Sequence, residues 1–143
     1  MKNMKSLLKD FWNDWSWEWF CSMNLHDHST INTAEHYLRK WRVGLERQED
    51  IRVGYVGYMN LFPHPHIHLL MIGCNENGET LPDVEAERWE KFWYKITRQT
   101  AHIVLIDYSE GATGYIVDQN TPRGHSEMIE PYNTELLNEK RSG

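Results

Sequence analysis

"FPHPHIHLLMIG", residues 62–73, sets three histidines at alternate positions in a run that otherwise reads as buried strand. Successive side chains on a strand point to opposite faces, so Ile67, Leu69 and Met71 share one face and His64, His66 and His68 the other. The apolar set suits a core. The histidines are left on the opposite surface, and the rest of the chain has to say what meets them there.

Working outward, "IRVGYVGYMNL" (51–61) is β-rich and reaches the histidine run through Pro63 and Pro65, which predicts a hairpin with its second strand over 65–73. Upstream, "WEWFCSMNL" (17–25) alternates, with Trp19, Cys21, Met23 and Leu25 on one face and Phe20, Ser22 and Asn24 on the other. Between them lies polar "HDHSTINT" (26–33), with Asn32 or Thr33 as helix N-cap. Ala34, Tyr37, Leu38, Trp41 and Leu45 then follow helical spacing and predict an amphipathic helix over 33–47, with Arg39, Lys40, Arg42 and Arg47 on its solvated face.

Downstream, "CNENGETLPD" is a turn-rich loop, and Asp83 serves as N-cap for a helix over 84–98 whose buried stripe is Trp89, Phe92, Trp93 and Ile96. "AHIVLIDY" (101–108) reads as a fourth strand and "EGATGYIVDQN" (110–120) as a short helix closed before Pro122. Residues 5–15 have the spacing of a further short helix, and the tail past Leu137 reads as frayed. Strand, helix, strand, strand, helix, strand is the ferredoxin-like, split βαβ order. The expected fold is therefore α+β: an antiparallel sheet of four to five strands, both long helices on one face, and the short tyrosine-bearing helix on the other. It forms a single domain over 1–143, with a core of about 17–120 and a C-terminal extension over 121–143.

Composition bounds the function. The formal charge of −6 disfavours coating nucleic acid by bulk electrostatics but leaves room for a local basic groove. Two cysteines, Cys21 and Cys74, lie in strand-like runs without CxxC spacing and read as free thiols in a reducing compartment. No run approaches the roughly 18 apolar residues of a membrane span. "MKNMKSLLKDFWNDW" is broken by Lys9, Asp10 and Asp14 where a signal peptide would be apolar, so a cytoplasmic protein with no membrane partner is expected.

Two histidines at i and i+2 on a strand can ligate one divalent ion, but two ligands do not close a site. Tyr115 and Gln119, four apart, share one face of the short helix. A helix crossing the open sheet face would bring the Gln119 carbonyl oxygen to the ion and the Tyr115 hydroxyl beside it, a metal-polarised phosphodiester facing a tyrosine nucleophile.

These residues resemble the HUH endonucleases, a superfamily of rolling-circle replication initiators, relaxases and single-tyrosine transposases. "PHIHLLMIG" looks like their metal motif, "WFCSMNL" like the first strand motif of plasmid and phage initiators, and "EGATGYIVDQN" sits where the tyrosine motif belongs. The resemblance implies a nick in single-stranded DNA. Tyr115 would attack the scissile phosphate and become linked to its 5′ side, while His66, His68 and Gln119 would hold Mn²⁺ or Mg²⁺, with Asn60 as the alternative third ligand. It also implies a single-stranded origin or hairpin as substrate, with a host helicase and a second copy of the chain as candidate partners. Asn24, His64, Arg123 and His125 are the candidate DNA-facing residues.

Two positions depart from the pattern. Asp118 stands where many initiators carry a lysine, and no carboxylate precedes the histidines in "YVGYMNLF". Tyr115 followed by Gln119 instead resembles single-tyrosine transposases. Three readings follow: a replication initiator, a transposase-like enzyme, and a non-cleaving nucleic-acid-binding regulator on the same fold. Tyr94, Tyr108 and Tyr132 are rival nucleophiles, with Tyr94 expected to be packed under the sheet.

Overall fold

The computed structural model describes residues 16–106 and 126–142. Tyr108, Tyr115, Asp118, Gln119, Arg123 and His125, and the helices expected over 5–15 and 110–120, lie outside the described residues. Strands β1 (Trp19–Asn24), β2 (Arg52–Asn60), β3 (His66–Cys74), β4 (Ala101–Leu105) and β5 (Ser126–Met128) form one antiparallel sheet in the order β4-β1-β3-β2-β5. Helix α1 (Ile31–Glu49) joins β1 to β2, and α2 (Ala86–Thr97) joins β3 to β4. The first four strands and two helices have the ferredoxin-like order, and the fold is α+β as the sequence predicts.

One sheet face carries Trp19, Cys21, Met23, Val53, Tyr55, Met59, Ile67, Leu69, Met71 and Ile103. They pack on Ala34, Leu38, Trp41 and Leu45 of α1 and Trp89 and Trp93 of α2. Burying an aromatic of tryptophan size removes roughly 200 Å² from water, about 5 kcal/mol of transfer free energy before ordering costs. The indole N–H groups are used as well. Trp41 Nε1 donates to the Trp89 carbonyl oxygen across the two helices (2.9 Å), and Trp93 Nε1 donates to the Asn24 carbonyl oxygen (2.9 Å), pinning α2 to the end of β1.

The element boundaries correct the sequence reading where capping decides them. Thr30 is the N-cap of α1: it is extended (φ −101°, ψ 171°) and its Oγ1 accepts from Thr33 N, so Asn32 and Thr33 lie inside the helix. Asp83 does not cap α2. Its carboxylate accepts from Thr80 N (2.8 Å) and closes a 3₁₀ turn, Leu81–Asp83, before the helix begins at Ala86. Arg42 is not on a solvated face. Its guanidinium lies 3.8 Å from the centre of the Tyr132 ring and donates to the Tyr55 hydroxyl. Tyr94, conversely, is 49 % exposed and not packed under the sheet. Cys21 is buried and Cys74 half-buried, both free thiols.

The C-terminal extension holds the largest difference. β5 pairs with the edge of β2, Tyr132 bridges Tyr55, and the tail past Leu137, expected to be frayed, continues as helix to Ser142 in α3 (Glu135–Ser142). Leu136 and Leu137 pack on Phe20, Val56, Leu70 and Ile72, covering one end of the face opposite the long helices. Two leucines without a helical repeat around them give no periodic signal, and a three-residue strand gives less. Among the described residues no helix is long and apolar enough to cross a membrane.

Candidate metal and nucleic-acid site

The other end of that face carries polar side chains. Strand register places Asn24, His66, Asn60 and Ser126 in one row and His102, Ser22, His68, Tyr58 and Met128 in the next. Neither row contains a carboxylate. His66 and His68 therefore lie on the surface away from the long helices, with ring centroids 4.9 Å apart and ring planes nearly perpendicular (85°).

Each ring is held by its Nδ1. His66 Nδ1 is 2.8 Å from the His64 carbonyl oxygen, which can only accept, so this nitrogen carries a proton and Nε2 is the nitrogen left for an ion. His68 Nδ1 is 3.1 Å from Ser22 Oγ. The His68 ring is further fixed by stacking on Phe20 (5.4 Å between centroids) and by Tyr58 (5.3 Å). Burial, reinforced by neighbouring His66, pushes the His68 imidazole down to about 4, so it is neutral at physiological pH.

A histidine that ligates a divalent ion through Nε2 is tied back through Nδ1, as both rings are here. Two imidazoles bound side by side to one ion at about 2.1 Å have centroids roughly 4.5 to 5 Å apart, and the observed spacing falls in that range. The ring spacing is thus compatible with a shared ion. Among the described residues no group of three His, Cys, Asp or Glu side chains converges as a metal site. Asn60 stands opposite His66, but its Oδ1 already accepts from Phe62 N (2.9 Å). Gln119, the expected third ligand, and Tyr115, the expected nucleophile, are outside the described residues, as are Arg123 and His125.

The structure brings two of the DNA-facing candidates together. His64, in the hairpin tip, has Nε2 2.8 Å from Asn24 Oδ1, and Asn24 Nδ2 donates to Thr100 Oγ1 (2.7 Å). A cleft of about 370 Å³ opens beside them between the 26–30 loop and the hairpin, lined by Asp27, His28, Ser29, Leu61, Pro63, His64 and Pro65. Phe62 at the tip is 63 % exposed, a surface on which a base can stack. Ser22 and His102 were not among the residues the sequence picks out. Their place, Ser22 opposite His68 and His102 one strand further out, depends on strand register, which has no local signal.

No protein-family profile, no curated relative and no solved structure matches this chain.

Proposed function

We propose that the protein is a metal-dependent, site-specific single-stranded DNA endonuclease and strand transferase that initiates rolling-circle replication of a plasmid or phage. One observation carries the reading: His66 and His68 stand side by side on the sheet face that the long helices leave open, and the His64 carbonyl fixes the tautomer of the first. A divalent ion bound there would draw charge from a phosphodiester oxygen as the transition state forms. His66 and His68 hold that ion, and Asn24, His64 and Phe62 border the path of the strand.

In this reading the Tyr115 hydroxyl loses its proton and its oxygen attacks phosphorus. The new O–P bond replaces the P–O3′ bond, and the departing 3′ oxygen takes up a proton as the free hydroxyl. Because one phosphoester is exchanged for another, a later attack by a 3′-hydroxyl reseals DNA without ATP. The Tyr115–Gln119 spacing favours the transposase-like form of the same chemistry. The absence, among the described residues, of a group of three His, Cys, Asp or Glu side chains able to hold a metal, and Asp118 in the tyrosine motif, favour a non-cleaving regulator.

The test is incubation of the protein with Mn²⁺ and labelled single-stranded oligonucleotides, followed by a denaturing gel. A covalent protein–DNA adduct is expected in the wild type. It should vanish in Tyr115→Phe and in the His66→Ala, His68→Ala double variant. Binding without an adduct on every substrate would leave the regulator.

A further inference from the structure

The two histidines differ in how their tautomers are set. A backbone carbonyl decides for His66, since it has no proton to give. His68 faces a hydroxyl, which can donate or accept, so here the side chain of another strand decides which nitrogen is bare. We infer that Ser22 is a positioning residue for the candidate ion site: its Oγ accepts the Nδ1–H of His68 and so keeps the His68 Nε2 lone pair directed at the shared ion. This rests on reading His66 and His68 as a metal pair.

The geometry supports the assignment from three sides. Ser22 and His68 are register partners in β1 and β3, on the same sheet face, with Oγ and Nδ1 3.1 Å apart. The two strands are neighbours in the centre of the sheet, so the hydroxyl is carried on a rigid element and not on a loop. Phe20, two residues before Ser22 on the same strand, stacks on the His68 ring at an interplanar angle of 19°. Tyr58 approaches from β2. The ring is thus clamped in plane by its neighbours, and only the position of its proton is left for Ser22 to set. Once Nε2 gives its lone pair to an ion, the ring proton must sit on Nδ1. Without an acceptor there, that half-buried N–H loses its hydrogen bond whenever the ion binds, and affinity falls.

The experiment uses the full chain with Mn²⁺ alone, comparing wild type, Ser22→Ala, Ser22→Thr and His68→Ala. Calorimetric titration should give Ser22→Ala a roughly ten- to hundredfold weaker affinity, the range typical of losing a ligand's outer partner. Ser22→Thr, which keeps the hydroxyl and suits a strand, should recover most of it. Long-range ¹H–¹⁵N spectra of the metal-free protein should place the His68 proton on Nδ1 in the wild type and shift the tautomer balance toward Nε2–H in Ser22→Ala. Equal Mn²⁺ affinity in wild type and Ser22→Ala, or a wild-type His68 protonated on Nε2, would overturn the assignment. If His68→Ala binds Mn²⁺ as tightly as wild type, the metal pair itself falls. If His68→Ala abolishes binding while Ser22→Ala leaves it intact, only the role of Ser22 does.

Discussion

Burial, with His66 beside it, lowers the His68 imidazole to about 4, whereas an unfolded chain titrates histidine near 6.5. Between those values the unfolded chain binds a proton that the folded one refuses. Stability contributed by this residue is therefore complete above about pH 6.5 and is lost as pH falls toward 4. The shift sets an upper bound of about 3 kcal/mol on that loss. Urea denaturation at pH 7 and pH 4.5 checks it against His68→Gln, which cannot titrate. The wild type should lose about 2 kcal/mol more than the variant on acidification, and equal losses would refute a depressed His68. The same neutrality keeps the ring available as a ligand at pH 7, so the stability cost and the binding capacity share one cause.

Among the elements, α3 sets the boundary of the site. Leu136 is 1 % exposed and Leu137 3 %, both against the sheet face that also carries the histidines. Each Leu→Ala change there should cost about 2 kcal/mol, the low end for a core leucine because a terminal helix can relax into the gap. The urea midpoint of the double variant measures it, and an unchanged midpoint would mean that α3 does not dock. Period-two alternation made β1 and β3 legible in the sequence, and the i, i+3, i+4 spacing of Leu38, Trp41 and Leu45 did the same for α1. Neither signal reaches Ser126–Met128, whose three residues are strand only because Tyr58, Met59 and Asn60 lie beside them. His66 and His68 were legible because one strand carries both. Ser22 was not, since its bond to His68 spans 46 residues and depends on pairing that no local window contains. Gly57 belongs to the same nonlocal class. A Cβ there would collide with the His68 carbonyl oxygen, so the close approach of β2 that seats Tyr58 beside the His68 ring depends on glycine.

At the scale of the whole molecule, strand order divides the face opposite the long helices into an apolar end under α3 and a polar end around the histidines. Twenty-one Asp and Glu against 15 Lys and Arg give the chain its charge of −6, yet the two rows around His66 and His68 hold no carboxylate. In the proposed reading a single strand entering there would meet imidazoles, amides and hydroxyls. Among the described residues these two rows supply neither a field of like charge nor a broad cationic surface. Affinity would then come from two or three phosphate contacts and from stacking, not from many ion pairs. For single strands the slope of log K against log salt is about −0.7 per phosphate contacted, so three contacts predict a slope of about −2. Raising salt from about 50 to 200 mM should weaken binding of a labelled oligonucleotide roughly sixteenfold, read by fluorescence anisotropy. A slope steeper than about −4 would require six or more phosphates and a basic surface elsewhere on the chain, and would move the strand off this face.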